Sequence, residues 1–290
     1  MTTDLFEHLD VVDLDLGGTT VHARSGAGHD PVLLLHGWPQ THAMWHQVAS
    51  SVAPDHAVVV PDLRGYGASR TTGDDRTFRA MASDVVALMD HLGHDRFHVV
   101  GHDRGARTAH RLALDHPGRV ASVMLLDVLP TLDVWRLMDS WLALRYYHWT
   151  FLAQPGGLPE RLIGGDPVTY LHQALGALGA GPDVLDPRAL AAYEEAARDP
   201  AVVHGWCADY RAAAHEDREH DAADLGRTVD VPATVVWGAK GVVGAQEDPL
   251  ERWRRWFPRA TGTSVDAGHF MVEERPDLLV PLVLEHLARR

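Results

Sequence analysis

Several features are scarce or absent in this sequence, and each excludes a class of protein. It has one cysteine, Cys207, so no internal disulfide can form. The 26 Lys and Arg are outnumbered by 40 Asp and Glu, a net charge of −14, which argues against a broad nucleic-acid-binding face or a basic membrane-binding patch. No apolar run reaches the ~18 residues of a membrane span. The start, MTTDLFEHLD, lacks the basic and apolar regions of a signal peptide, so we expect a soluble, cytoplasmic protein with no nucleic-acid or membrane partner.

The composition indicates a folded protein, and the order of its strand and helix patterns indicates an α/β fold. Of the 290 residues, 46% are apolar and 23% are charged, which excludes general disorder. The first 130 residues alternate short strand-like runs with helical patterns, and this alternation predicts a largely parallel sheet. The strands expected in this part are 11–16, 32–37, 57–62, 97–103 and 121–127, and the helices include 81–92 and 106–116.

The alternation stops near residue 131, which predicts an inserted block. Residues 131–227 show only helical patterns rich in Ala, Leu, Trp and His, and a buried strand returns at 231–238. We therefore expect an α/β core formed by residues 1–130 and 228–290, with a helical cap of residues 131–227 inserted in it.

The most informative segment is 97–117, where an apolar strand runs into G-x-D-x-G and continues directly as a helix. Gly101 and Gly105 permit the sharp turn that points a nucleophile, here Asp103, out of a sheet. The helix N-terminus also favours negative charge beside it. An aspartate between glycines is alternatively a turn residue or an N-cap, but the strand and helix on either side favour the nucleophile.

Three further pieces follow in a fitting order. HGWPQ (36–40) comes after an apolar strand and can supply backbone N–H donors, Asp127 ends the strand after the turn, and His269 lies in DAGHF before the last helix. The order nucleophile, acid, His is that of the α/β-hydrolases. A carboxylate can displace a leaving group from sp3 carbon, and water activated by His269 would then hydrolyse the ester. Haloacid dehalogenation, haloalkane dehalogenation and epoxide opening all use this plan.

Five collinear segments resemble the fluoroacetate (haloacetate) dehalogenases of the α/β-hydrolase superfamily. They are GHDRGAR (101–107), HGWPQTHAMWH (36–46), YYHWTFLAQP (146–155), WCADYRA (206–212) and WGAKGVVG (237–244). The resemblance covers nearly the whole chain. It implies hydrolysis of small anionic 2-haloacetates, including defluorination of fluoroacetate, to glycolate and halide by a homodimer that needs no cofactor.

The resemblance also implies a role for each matching residue. Asp103 is the expected nucleophile, His269 the base and Asp127 the acid that orients it. Arg104 and Arg107 are expected to hold the substrate carboxylate. The expected halide donors are His148, Trp149 and Tyr210.

The chemistry of these residue types agrees with the roles. Arg104 and Arg107 are three apart at the start of a helix, so they can share a face and form a local anion site despite the acidic chain. The alternative is that each is a surface arginine paired with an acid. An imidazole, an indole and a phenol can donate to a departing halide without carrying charge. Without the resemblance, His148 and Trp149 would be ordinary members of an aromatic helix.

One departure and two alternatives qualify the substrate. Trp38 lies where the family commonly has Phe in HGFPQ, so we expect a narrower pocket or a changed substrate range, with the backbone donor unaffected.

An epoxide hydrolase of the same fold is the main alternative, although a neutral epoxide has no use for Arg104 and Arg107. A non-catalytic binding protein is a further alternative, which the complete set of Asp103, Asp127 and His269 disfavours. The scattered histidines show no metal-binding motif, so we expect no metal.

Overall fold

A nine-stranded sheet lies at the centre of the protein, whose computed structural model describes residues 4–289. The strands are β1 (Asp10–Asp15), β2 (Thr19–Ser25), β3 (Val32–Leu35), β4 (Val58–Pro61), β5 (Arg70–Thr71), β6 (Phe97–His102), β7 (Val120–Leu126), β8 (Ala233–Gly238) and β9 (Thr261–Val265). The sheet order is β1-β2-β4-β3-β6-β7-β8-β9, with β5 beside β2. From β4 onward in this order the neighbouring strands are parallel, whereas β2 pairs antiparallel with β1, β4 and β5.

The central strands explain why the sequence pattern was readable. Every residue of β3, β4 and β6 is buried, as expected for parallel strands covered on both faces. The six predicted strands are confirmed with shifts of one or two residues at their ends. The hairpin partner β2 was not predicted, because its TTVHARS sequence mixes polar and small residues and has only two buried apolar side chains, Val21 and Ala23.

Helices cover the sheet and fill the long connection between β7 and β8. The two early helices predicted from the sequence are confirmed as α2 and α3, although α3 begins at Arg104 rather than Ala106 because the helix starts directly after the turn at Asp103. The α-helices are α1 (His46–Val52), α2 (Phe78–His91), α3 (Arg104–Asp115), α4 (Thr131–Arg136), α5 (Ser140–Arg145), α6 (Tyr147–Leu152), α7 (Leu158–Ile163), α8 (Pro167–Leu178), α9 (Pro187–Arg198), α10 (Pro200–Ala214), α11 (Glu216–Ala223), α12 (Pro249–Arg254), α13 (Met271–Glu274) and α14 (Pro276–Leu287).

The segment α4–α11 packs against the end of the sheet that carries Asp103, Asp127 and His269. The backbone N–H of His269 donates to the Leu178 carbonyl at 3.1 Å. The Tyr193 hydroxyl of α9 donates to Glu273 at 2.9 Å, and both groups are buried. Within residues 4–289, no helix has both the length and the apolar character that crossing a bilayer requires.

Candidate active site

The turn between β6 and α3 holds Asp103 in a backbone conformation that few residues adopt. Its φ is 46° and its ψ is −111°, a strained combination of the kind found at functional sites. The neighbouring chain is close: a Cβ built on Gly37 would lie 2.6 Å from the Cβ of Asp103. Glycine at position 37 is therefore needed for the HGWPQ loop to approach the turn.

Asp103, His269 and Asp127 form a connected group at the carboxyl ends of the parallel strands. His269 Nδ1 lies 2.6 Å from Asp127 Oδ2, and His269 Nε2 lies 3.8 Å from Asp103 Oδ2. The other oxygen of Asp127, Oδ1, accepts the Gly238 N–H at 2.9 Å. The Asp127 carboxylate is thus fixed by the end of β8 and can orient the imidazole.

The charges of this group stabilise one another. Burial by itself would raise the pKa of Asp103, but attraction from His269, with help from Arg107 and Arg104, holds it below its usual range. Burial disfavours protonated His269, yet its hydrogen bond to Asp127 and the attraction of both carboxylates raise its pKa to about 10. Asp103 is therefore ionised at neutral pH, as a nucleophile must be.

Arg104 is completely buried and has a partner that the sequence interpretation missed. Its Nε donates to Asp209 Oδ2 at 2.8 Å, Nη2 pairs with Asp209 Oδ1, and the guanidinium lies 4.2 Å from the Tyr210 ring centroid. The Tyr66 hydroxyl also donates to Asp209 at 2.6 Å. Only Nη1 of Arg104 has no partner among residues 4–289. Asp209 lies in the WCADYRA segment, and a buried arginine that needs a counter-charge is the signal that could have found it.

Arg107 is equally buried but carries no ion pair to a carboxylate in the described chain. Its Nη1 donates to the Leu129 carbonyl at 2.9 Å and to Thr131 Oγ1 at 3.0 Å, while its Nε has no partner. Burial lowers the pKa of Arg107 despite attraction from Asp103. A desolvated guanidinium in this state is ready to receive an anion such as a carboxylate.

Aromatic side chains from α6 and α10 face this group and bring the predicted halide donors together. His148 and Trp149 lie 5.6 Å and 5.7 Å from Tyr210, measured between ring centroids. Burial lowers the pKa of His148 to about 3, so its imidazole is neutral. The buried Tyr210 hydroxyl has no hydrogen-bond partner within residues 4–289, which leaves its O–H free to donate to an incoming group.

Trp38 packs against the same aromatic group. Its ring stacks on His148 at 4.9 Å with an interplanar angle of 10° and contacts the edge of Tyr210 at 5.6 Å. Neither the Trp38 nor the Arg104 backbone N–H donates to an acceptor in the part of the chain the structure describes. Both flank Asp103, so they can stabilise an oxyanion that develops on its carboxyl group.

All nine side chains predicted for the site lie in one contiguous group, and each is more than nine-tenths buried. This closure excludes bulk water and strengthens the electrostatic interactions inside. The arrangement contains an ionised carboxylate, a base with its orienting acid, an unpaired guanidinium and several neutral donors. It can therefore perform a nucleophilic displacement on a small anion and hydrolyse the resulting ester.

One possible metal-ligand group occurs in residues 4–289, away from Asp103, although the sequence suggested none. It consists of His22, His42 and Asp62, whose candidate ligand atoms lie within 4.8 Å of one another. The two oxygens of Asp62 already accept backbone N–H groups, of His42 and of Ala68, each at 2.7 Å. The carboxylate is thus used to hold its loop, and we assign no metal to it.

Comparison with known proteins identifies relatives along the entire chain. The family model described as the alpha/beta hydrolase fold matches residues 30–276. A fluoroacetate dehalogenase from Burkholderia sp. is 42% identical, covering 98% of this chain and 95% of its own. A soluble epoxide hydrolase from Corynebacterium sp. is 31% identical, covering 99% of each. The crystal structure of ALR0039 from Nostoc sp. PCC 7120 is 43% identical with a TM-score of 0.94, covering 98% of this chain and 100% of that one.

Proposed function

The chain belongs to the α/β-hydrolase fold family and within it to the fluoroacetate dehalogenases, and from this premise we propose that it hydrolyses 2-haloacetates to glycolate and halide. The observation that carries the substrate class is Arg107, a buried guanidinium without a carboxylate partner in residues 4–289, beside an ionised aspartate. A 2-haloacetate supplies the missing carboxylate and places its α-carbon at the nucleophile.

In the first step, Asp103 attacks the α-carbon from the side opposite the halogen. Arg107, with the free Nη1 of Arg104, holds the substrate carboxylate so that attack is in line. The carbon–halogen bond breaks, the halide leaves with the bonding electrons, and an ester forms between Asp103 and the carboxymethyl group. Closure of the site keeps water from competing at this stage.

In the second step, water attacks the side-chain carbonyl carbon of Asp103. Ester formation has removed the negative charge on Asp103, which is one of the two carboxylates that raise the pKa of His269. Loss of this charge lowers the pKa of His269, so the imidazolium can release its proton to solvent, and the neutral imidazole then takes a proton from the attacking water. The backbone N–H groups of Trp38 and Arg104 stabilise the tetrahedral oxyanion. When this intermediate collapses, His269 returns that proton to the glycolate oxygen and glycolate leaves. The second water proton passes from the Asp103 carboxyl to His269, which restores the carboxylate and the imidazolium.

The leaving halide is received by neutral donors from α6 and α10. Tyr210, His148 and Trp149 together offer an O–H and two N–H groups, and none of them must give up a proton. Fluoride needs this support most, because the C–F bond is strong and the negative charge that develops on the fluorine as this bond breaks must be stabilised by donors. Defluorination is thus part of the proposed activity. Residues 131–227 form a cap in this proposal, and the cap supplies the three donors.

The assembly that we propose is a homodimer formed through the same cap. Exposed apolar side chains on α5 and α7 support this: Leu144 is 79% exposed and Leu162 is 60% exposed, with Trp141 and Leu158 beside them in the chain. Apolar side chains of this size favour burial in an interface. Sedimentation of the wild type beside Leu144→Glu and Leu162→Glu tests the proposal, since the variants should be monomers if it holds.

The function is tested by incubating the purified protein with chloroacetate and fluoroacetate in parallel and measuring free halide and glycolate. We expect both halides with one glycolate each. Arg107→Gln should raise KM for chloroacetate strongly but leave turnover of neutral chloroacetamide little changed, whereas Arg79→Gln, which removes an exposed arginine, should resemble the wild type. Absence of halide release from both acids would contradict the function.

Epoxide hydrolysis is the second candidate. It is favoured by two buried tyrosine hydroxyls without partners in residues 4–289, those of Tyr170 and Tyr210, which both contact Trp38. Two phenols could hold an epoxide oxygen. A neutral epoxide would leave the charge of Arg107 without a counter-charge. We would therefore assign epoxide hydrolysis only if the protein hydrolysed styrene oxide and none of the haloacids.

A further inference from the structure

A second buried arginine without a counter-charge lies outside the active site. Four arginines in residues 4–289 are more than nine-tenths buried: Arg76, Arg104, Arg107 and Arg111. Arg104 and Arg111 form ion pairs with aspartates. No carboxylate oxygen of the described chain lies within 4.0 Å of the guanidinium of Arg107 or of Arg76. The property that marks Arg107 as an anion-binding residue is therefore shared by Arg76.

The hydrogen bonds of Arg76 leave much of its guanidinium unused. Nη1 donates to the backbone carbonyls of Gly73 and Asp75, but Nε has no partner among residues 4–289. Burial, followed by repulsion from Arg64, lowers the pKa of Arg76, and the attraction of nearby acids, led by Asp74, does not restore it. A buried charge in this state is costly unless an anion joins it.

A cavity of about 370 Å³ has Arg76 in its wall. Gly65 also lines this cavity, and a Cβ built on Gly65 would lie 3.1 Å from Arg76 Nε, so the two residues are in close contact. The cavity is at the junction of the core with α10, whose Ala201 and Val202 form part of its wall. Four side chains with hydroxyls also line it, but those of Ser69 and Thr72 already donate to the Asp62 and Gly18 carbonyls, which leaves Thr20 and Thr71 as donors.

One guanidinium in the lining of the cavity is not paired with a carboxylate. Arg70 and Arg76 both line it, together with Asp15, whose Oδ1 accepts the Gly17 N–H at 2.8 Å. Arg70 pairs with Asp199 at 3.0 Å, which leaves Arg76 as the arginine of this lining without an ion pair.

A larger cavity that also touches Arg76 is less suited to an anion. It is lined by three acids, Asp74, Asp75 and Glu216, and its other two arginines, Arg79 and Arg211, already pair with Asp115 and Glu160.

We propose that Arg76 anchors a second anion-binding site in the 370 Å³ cavity, which takes a small monovalent anion, either a halide or a short carboxylate. The guanidinium without an ion pair supplies charge-assisted donors to one anion, and the hydroxyls of Thr20 and Thr71 supply neutral ones. The site is separate from Asp103, so it does not depend on the dehalogenase reaction.

The test titrates bromide and, separately, acetate into the Arg107→Gln protein by calorimetry, because this background weakens binding at the active site. We expect binding of at least one of the two anions, weakened about tenfold or more by adding Arg76→Gln. Arg70→Gln is the matched control: it removes an ion-paired arginine of the same cavity and should change affinity much less. Bromide binding alone identifies a halide site, acetate binding alone a carboxylate site, and binding of neither overturns the proposal.

A measurement on the wild type covers the case in which Arg76→Gln does not fold. Crystals grown or soaked in bromide should show an anomalous scattering peak within hydrogen-bonding distance of the Arg76 guanidinium. For a carboxylate site, 3-bromoacrylate labels the same position, because its bromine is on an sp2 carbon at which Asp103 cannot displace it. Peaks confined to the surroundings of Arg107, or an unchanged affinity in folded Arg76→Gln, contradict the second site.

Discussion

The proposed active site has a core side, formed by Asp103, Asp127 and His269, and a cap side, formed by His148, Trp149 and Tyr210. The two sides differ in how far their polar groups are satisfied by hydrogen bonds. On the core side, Asp103, His269 and Asp127 are joined by short contacts and mutually stabilised charges. On the cap side, Tyr210 has no hydrogen-bond partner within the described chain and His148 is neutral. The core therefore holds the Asp103 nucleophile ionised before substrate arrives, with His269 protonated beside it until the ester forms. The cap keeps neutral donors unpaired, so they gain most when negative charge develops on the halogen.

The largest effect is expected from removing the nucleophile on the core side. Asp103→Ala should lower kcat at least about 10⁴-fold with every haloacetate, because no other group can form the ester. Steady-state halide release measures it. Asp115→Asn, which changes a carboxylate at the other end of α3, should keep most of the activity. Substantial residual turnover in Asp103→Ala would assign the chemistry to another group.

Removing the base should separate the two chemical steps. His269→Gln should release one equivalent of halide per active site and then stall, with steady-state turnover lowered about 10²–10⁴-fold, because ester hydrolysis loses its proton acceptor. Mass spectrometry should find Asp103 carrying a carboxymethyl group. Turnover without an accumulating ester would show that the two-step scheme is wrong.

A cap-side change should depend on the leaving group, unlike the core-side changes. Tyr210→Phe removes one unpartnered donor and should slow fluoroacetate turnover by about 10²–10³-fold, with a smaller loss for chloroacetate. The ratio of the two rates is the measurement, and Tyr147→Phe, which alters an exposed neighbour of His148, is the control. Equal losses for the two substrates would remove Tyr210 from the halide site.

Asp209 connects the two sides, since it lies on α10 and pairs with Arg104 of α3. Asp209→Asn should lower the free energy of unfolding by about 3–5 kcal/mol, because it leaves a buried guanidinium without its counter-charge. Urea unfolding measures this change. Asp266→Asn, which loses the surface pairs with Lys240 and Arg275, should cost much less, because exposed ion pairs contribute little to stability. Similar costs for the two variants would contradict the importance of the buried pair.

The last prediction concerns pH. Since folding raises the pKa of His269 from 6.5 to about 10, its contribution to stability is fully present below pH 6.5 and is lost as the pH rises toward 10. The stability difference between wild type and His269→Gln should therefore shrink across this range in urea unfolding curves. A difference that grows with pH would mean that His269 is not held protonated by the two carboxylates.

The core side was predictable from local sequence, and the cap side was not. Gly101, Asp103 and Gly105 specify their turn within five residues, and buried strands such as β3 are recognisable from their apolar runs. His148 and Tyr210 lie more than 60 residues apart in the chain, and no spacing rule brings them together, so their pairing was inferred only from the resemblance.

Two features could not be predicted because they depend on long-range packing. The Arg104–Asp209 ion pair joins residues 105 positions apart, and an aspartate next to an aromatic residue carries no signal of such a partner. The stacking of Trp38 on His148 likewise requires the cap to be placed over the HGWPQ loop. β2 was missed for a different reason, because an antiparallel hairpin strand with few buried apolar side chains lacks a strong pattern.

The most direct test of the account follows oxygen during a single turnover. Excess enzyme is mixed with chloroacetate in water enriched in heavy oxygen, and both glycolate and the peptide containing Asp103 are analysed by mass spectrometry. The account predicts unlabelled glycolate and label in the Asp103 carboxyl group, because the glycolate hydroxyl oxygen comes from Asp103 and water attacks the side-chain carbonyl. Labelled glycolate with unlabelled Asp103 would show direct attack of water on the substrate and contradict the covalent mechanism.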